Sequence, residues 1–202
     1  SAEVSIESSV NSEDINIYRQ LSGGVTTSQL LHGSANPIGG QSAIIKLKWG
    51  DSPSDMLFEG AAPFIKFALG ENVKQSNWGD RQTQRFPQTR MGVEQVFYDH
   101  FIRAREYGAA WDNYRSSMAS LSRKQKRKGE IPQAPRVDLE MQTLWEILQG
   151  ERFITCHSYR QDEINMLMHV ADSMGFTLNT FTHILEGYKV ADKMKEHGAG
   201  GS

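Results

Sequence analysis

The clearest pattern of apolar and polar positions lies in the C-terminal third of the chain. Residues 138–150 open on Asp138 and carry apolar side chains at helical spacing (Leu139, Met141, Leu144, Ile147, Leu148). They stop at Gly150, so an amphipathic helix is predicted. The run Phe153-Ile154-Thr155-Cys156-His157 follows at once and has the length and branching of a buried strand. Residues 162–175 start with two acids, continue with apolar positions on one face and end at Gly175, a second helix. Residues 176–183 form another short strand-like run, and 188–197 a further helix closed by Gly198.

Upstream, 12–21 read as a capped helix stopped by Gly23-Gly24, and 25–32 as a β-branched strand. The glycine-containing stretch 33–40 reads as a loop, 42–49 as a half-exposed strand, and 63–72 as an apolar strand with Lys66 in its middle. Residues 75–135 are polar, with a helical tract from Gly92 to about Lys128 and Pro132 and Pro135 at its exit. That is too long for an ordinary strand–helix connection and reads as an insertion or elaborated crossover. Strand–helix alternation predicts an α/β fold on a parallel sheet.

With 202 residues the chain suffices for one domain with a sizeable core. Twenty-two basic against 24 acidic residues give a net charge of −2, so no global field points to nucleic acid or a lipid surface. The basic run 123–128 is short and reads as a solvated helix face. The single cysteine, Cys156, excludes an intramolecular disulfide framework. No run approaches the ~18 apolar residues of a membrane span, and no signal peptide opens the chain. Because its first residues read as the middle of a domain, a cytoplasmic or a periplasmic/secreted bacterial location both stay open.

Two histidines close the strand-like runs at His157 and His183, one strand–helix repeat apart. In a parallel sheet or barrel this spacing brings neighbouring strand ends together, where two imidazoles can share a metal ion. The plain alternative is a pair of hydrogen-bonded structural histidines. Lys66 is the next anomaly, since a lysine inside an apolar strand must snorkel outward, pair with a carboxylate at a rim, or be used. A desolvated lysine amine can react with carbon dioxide, and the carbamate is an anionic metal ligand. Glu71, just past Gly70, is the ordinary carboxylate that could serve instead.

The smaller candidates separate on geometry. Cys156 and His157 are consecutive in a strand and point to opposite faces, which excludes a thiol–imidazole pair. His169, inside a methionine-rich helix, reads as core or surface. His32, at a strand end, is a candidate substrate contact. The glycines of 36–41 lack a following Lys-Ser/Thr and do not make a phosphate loop. Glu186 reads as a hydrogen-bond partner behind the site or a helix N-terminal acid.

The strings Ser22-Gly23-Gly24-Val25-Thr26-Thr27, His32-Gly33-Ser34-Ala35-Asn36-Pro37-Ile38-Gly39-Gly40-Gln41, Ile65-Lys66-Phe67-Ala68-Leu69-Gly70-Glu71-Asn72 and Thr182-His183-Ile184-Leu185-Glu186-Gly187-Tyr188, in this order and spacing, resemble the amidohydrolase superfamily. The likeness extends to the insert string Arg85-Phe86-Pro87-Gln88-Thr89-Arg90-Met91-Gly92, and the branch it resembles is the imidazolonepropionase-like metal-dependent hydrolases. The resemblance implies a (β/α)8 TIM-like barrel with one or two divalent ions, zinc foremost, at the strand ends. It implies a metal-activated water attacking an amide, such as a cyclic amide or dipeptide. Carried over by position, His157 and His183 match the fifth- and sixth-strand histidines, and Lys66 the fourth-strand lysine that is carbamylated in binuclear members. Glu71 stays open because some branches use a glutamate.

The family's first-strand His-X-His pair is absent, and its eighth-strand aspartate, the general acid/base, would fall beyond residue 202. The expectation is therefore one domain, residues 1–202, forming a partial barrel of roughly strands two to six with 75–135 as a helical insertion. Such a piece is expected to be inactive alone and, with exposed strand edges, to be a homo-oligomer acting on a small-molecule amide, without nucleic acid or membrane. The rival expectation is a non-catalytic barrel fragment that binds a ligand or partner and has lost its metal site.

Overall fold

The structure, a computed structural model, describes residues 1–74 and 86–202. Its helices are α1 (Ile15–Ser22), α2 (Pro53–Met56), α3 (Arg90–Ser120), α4 (Arg123–Arg127), α5 (Leu139–Leu148), α6 (Gln161–Met174) and α7 (Ala191–His197). Its strands are β1 (Thr27–Leu30), β2 (Ile38–Lys46), β3 (Phe64–Ala68), β4 (Phe153–His157), β5 (Thr180–Thr182) and β6 (Gly200–Gly201). They form one sheet in the order β1-β2-β3-β4-β5-β6. The sheet curls, since the Gln29 amide on β1 reaches the Thr155 hydroxyl on β4 at 3.4 Å although two strands lie between them. The architecture is a half-barrel with helices packed on its convex side.

From β3 to β6 the strands are parallel, as the alternation predicts. The first half differs: β1–β2 and β2–β3 pair antiparallel. The physical reason for β1–β2 is the short connection over 31–37, because a parallel crossover needs a dozen or more residues. The strand expected over 42–49 begins earlier, at Ile38, and takes in Gly39 and Gly40. A Cβ at Gly39 would sit 2.8 Å from the Lys66 carbonyl oxygen, so a stretch that reads as a loop is a strand pressed against β3. β5 ends at Thr182, one residue before His183, and the helix expected over 188–197 is a 3-10 turn (Gly187–Lys189) followed by α7.

The two faces of the sheet are chemically distinct. On the convex side Ile65, Phe67, Ile154, Cys156 and Phe181 are fully buried. There Phe67 meets Phe97 and Phe101 of α3 at 5.3 and 6.2 Å between ring centroids, and Phe101 stacks on Phe176 at 4.1 Å. Each such ring, fully buried, contributes about 1.5–3 kcal/mol. α3 and α5 pack closely because Gly108 leaves room for Trp145, whose ring would lie 2.4 Å from a Cβ there. Residues 90–120 of the expected insertion are thus one long helix laid over the core, whereas 75–85, including Arg85 of the insert string, lie outside the described residues. A smaller cluster of Ile17, Ile45, Leu47 and Met56 seats α1 and α2 on β2.

Alternation puts Phe64, Lys66 and Ala68 of β3, Phe153, Thr155 and His157 of β4, and Thr180 and Thr182 of β5 on the concave side. Phe64 and Phe153 pair at one end, 5.5 Å apart, and the opposite end is polar. That polar end is the C-terminal end of the parallel strands. No helix among the described residues is long and apolar enough to cross a membrane.

Candidate functional site

His157 is the last residue of β4 and is buried. His183 follows the last residue of the adjacent parallel strand β5 and is exposed. Their ring centroids are 5.1 Å apart at an interplanar angle of 64°. Two imidazoles binding one tetrahedral ion at ~2.0–2.1 Å place their centroids about 5 Å apart, so the spacing accommodates a shared ion. His183 has φ 61, a left-handed conformation uncommon outside glycine. Its N–H donates to the Ser202 carbonyl at 2.9 Å, and its carbonyl accepts from the Leu185 N–H at 2.8 Å, so the turn is held from both sides. Such a backbone costs about 1–3 kcal/mol and recurs at functional sites.

Lys66 lies on the neighbouring strand. The β3–β4 register pairs Lys66 with Thr155 and Ala68 with His157, which sets the lysine one pleat below the imidazole on the same face. It is 5 % exposed, and its ammonium donates to the His32 carbonyl at 3.5 Å. Burial holds its pKa below the ordinary lysine value, opposed in part by the Cys156 thiol. His157 is pushed down to about 4, first by burial and then by the nearby positive charges of Lys66 and His183. The site therefore presents His157 as a neutral imidazole, beside an amine that holds its proton less tightly than an ordinary lysine.

Glu71 is placed differently. It opens the 3-10 turn Glu71–Val73, its side chain is 61 % exposed, and it pairs with Lys74 at 2.9 Å. Among the described residues no three His, Cys, Asp or Glu side chains converge as a metal site. The donor set reaches three only with Lys66 counted as a carbamate, and in that form two imidazoles and one anionic oxygen donor suit a borderline divalent ion such as zinc.

His32 comes to the site through its backbone. Its carbonyl receives Lys66, while its ring nitrogen Nε2 lies 3.2 Å from the Gln41 carbonyl oxygen. The ring rests on Gly40, where a Cβ would come within 2.3 Å of it. Cys156 faces the convex core, fully buried, with its thiol pushed up by that burial and its Sγ 3.6 Å from the His157 carbonyl. Glu186 accepts from the Gln161 N–H at 3.0 Å and pairs with Lys189 at 2.7 Å, bracing the loop after β5 against α6.

Two residues not singled out in the sequence stand at the imidazole pair. The Tyr159 ring meets His157 edge-on, 4.6 Å between centroids. The Asn72 amide nitrogen lies 3.5 Å from His157 Nε2. Their positions just past the C-terminal ends of β4 and β3 were the available signal, since loops at that end of a barrel carry function.

The fold and this arrangement define the class: half of a TIM-type barrel with imidazoles at adjacent strand ends. No protein-family model matches the chain. Amidohydrolase tasK of Hapsidospora irregularis is 29% identical over 180 residues, 85% of this chain and 18% of that protein. The crystal structure of an amidohydrolase from Thermotoga maritima MSB8 superposes with a TM-score of 0.79 at 28% identity, over 100% of this chain and 48% of that one. The chain thus spans about a fifth of the curated relative and about half of the solved structure. In sequence and in fold it is similar to proteins named as amidohydrolases.

Proposed function

We propose that this chain carries part of the metal centre of a hydrolase acting on amide-type carbon–nitrogen bonds of small molecules, cyclic amides or dipeptides. The observation that carries the reading is the approach of His157 and His183, 5.1 Å apart at the ends of adjacent parallel strands. A divalent ion in such a centre, zinc first, lowers the pKa of a bound water and polarises the substrate carbonyl. His157 and His183 are the imidazole ligands. Lys66 is the anionic one: its neutral amine attacks carbon dioxide, a nitrogen–carbon bond forms, and a proton passes to solvent. Its burial and lowered pKa support it over Glu71, whose carboxylate is engaged with Lys74.

Metal analysis after dialysis against zinc, on the protein and on His157→Ala, His183→Ala and Lys66→Ala, tests this reading. Expected are zinc in the parent, loss in each variant, and a carbamate carbon signal after 13C-bicarbonate that disappears with Lys66→Ala. A parent that takes up no zinc, or variants that keep it, would overturn the metal centre. Turnover across dipeptides, lactams and hydantoins tests the bond type in the complete barrel, since this stretch alone is expected to be inactive, and absence of both zinc and turnover there favours the ligand-binding alternative.

A further inference from the structure

The far end of α3 takes no part in the site. The helix starts beside the first turn of α6, where Arg90 pairs with Asp162 and, at 3.2 Å, with Glu163, so it begins at the strand ends that carry the imidazoles. From there it runs toward the other end of the sheet. Phe97 and Phe101 cover Phe67, and Gly108 meets Trp145 near the close of α5, just ahead of β4. Gly108 is the last buried residue of α3. Residues 109–120 continue as helix for about 18 Å, at ~1.5 Å per residue. Edge-on contacts of Trp111 with Tyr107 and Tyr114, at 6.3 and 5.8 Å between centroids, support this stem. The result is a finger that projects from the end of the half-barrel opposite the site.

Its tip is α4 with the residues on either side. Ser122 and Gln125 cap the turn reciprocally, and Gly129, at φ 75, closes it, with the Glu130 N–H donating to the Gln125 carbonyl at 3.2 Å. The turn displays Arg123, Lys124, Lys126, Arg127 and Lys128 together, five of the chain's 22 basic residues, all exposed. Arg123, Lys124, Arg127 and Lys128 line one hollow of about 510 Å³. Among the described residues none of the five side chains has an ion-pair or hydrogen-bond partner. Arg123 with Arg127, and Lys124 with Lys128, are like charges at i,i+4, an arrangement that weakens a helix until an anion neutralises it. A net charge of −2, which by itself points to no lipid partner, averages over this segregation. The tip stands farther from the body than the Debye length of ~8 Å at physiological salt, and so presents its own field.

We propose that this tip docks on an anionic lipid surface. Two features favour a lipid surface over a nucleic acid. No aromatic side chain lies within 121–131 to stack on bases. The apolar Leu121 and Ile131 flank the cations, and Ile131 is 54 % exposed, where it can enter the boundary between headgroups and acyl chains. Docked in this way, the chain turns its imidazole end away from the membrane and toward solvent.

Flotation of the chain with vesicles tests this, using phosphatidylcholine alone and phosphatidylcholine mixed with phosphatidylserine. Binding is expected to the mixed vesicles only, with release as salt rises. Lys124→Gln, Lys126→Gln and Lys128→Gln combined should lower the partition coefficient about a hundredfold, at about fivefold for each charge near such a surface. Arg19→Gln, Lys193→Gln and Lys195→Gln combined remove the same charge from the body and should bind as the parent does. All six positions are exposed, so both variants should melt with the parent, which circular dichroism checks. No binding to the mixed vesicles, an equal loss in the two variants, or full binding by the tip variant would overturn the proposal. A duplex oligonucleotide that strips the parent from the vesicles at equal phosphate concentration would move the tip to nucleic acid and overturn it as well.

Discussion

Replacing Lys66 with methionine should make the metal-free protein more stable. The ammonium carries three N–H donors, is 5 % exposed, and among the described residues makes one bond, at 3.5 Å, to the His32 carbonyl. Among the described residues no carboxylate is one of the charges that act on it. A buried polar group left unsatisfied costs about 1–3 kcal/mol, and a charged one more. Methionine keeps an unbranched chain of similar length without the charge, so little packing is lost. The expected gain is about 1–3 kcal/mol at pH 7, which for a chain of this size raises Tm by about 2–4 °C per kcal/mol.

The pH dependence has a definite sign. The folded-state pKa of Lys66 lies below its ordinary value, so between the two the unfolded chain binds the extra proton and stability rises with pH. Below the folded value the burial penalty is fully present, and above about 10.4, the free lysine value, it is gone. Lys66→Met should lack this rise, so its advantage over the parent should shrink as pH climbs toward 10. Urea unfolding of both proteins in metal-free, carbonate-free buffer at pH 7 and pH 10 measures it, with unchanged m values as the control. A variant at least 1 kcal/mol less stable than the parent at pH 7 would refute the argument and mean that the amine is held by more than its one visible partner.

Three further outcomes follow from single contacts. His157 titrates at about 4 in the folded chain against about 6.5 when free, so its contribution to stability rises with pH across that interval and is lost as pH falls through it; acid-unfolding curves of His157→Gln should be flatter between pH 4 and 6.5, and an unchanged slope would count against the burial. Gly39→Ala puts a methyl 2.8 Å from the Lys66 carbonyl oxygen, and overpacking of this kind should cost about 1–3 kcal/mol in urea unfolding. The His197 side chain, 5 % exposed, accepts the Leu178 N–H at 3.0 Å and lies 2.8 Å from an Asp172 oxygen. His197→Ala leaves that amide without its acceptor, for a loss of about 1–3 kcal/mol and faster hydrogen exchange at Leu178; unchanged exchange would dismiss the bond.

The C-terminal half of the chain was legible because each of its elements carries its own punctuation. Asp138 caps α5 through the Met141 N–H, and Gly175 ends α6 in the left-handed conformation. β4 has five residues whose burial follows from the sequence pattern. The strand order of the first half was not legible, because antiparallel pairing of β1, β2 and β3 is set by connection length and by Gly39 and Gly40, which punctuate a loop as readily as they permit a close approach. At the site, Lys66, His157 and His183 announce themselves by being polar where strands should be apolar. Asn72 and Tyr159 do not, since a polar or aromatic residue in a loop breaks no local rule. What picks them out is Gly70, whose reversal and bare face are properties of the folded backbone.

The departures from local preference are not scattered. Buried Lys66, desolvated His157 and left-handed His183 all lie on the concave side or the C-terminal end of β3–β5, and the tight glycines of β2 press on the same place. The convex side is built mainly of fully buried apolar side chains under α3, α5 and α6, and the buried Glu163 of α6 is paired with Arg90 at 3.2 Å. A fold selected for stability alone would place an apolar residue at 66 and an unstrained turn at 183. Their concentration at one strand end, with the convex core to hold them there, is what a binding site requires of its scaffold. The same reasoning ranks the candidates. Glu71 incurs no such cost, being exposed and paired, so its position is explained without a ligand, whereas those of Lys66 and His183 are not.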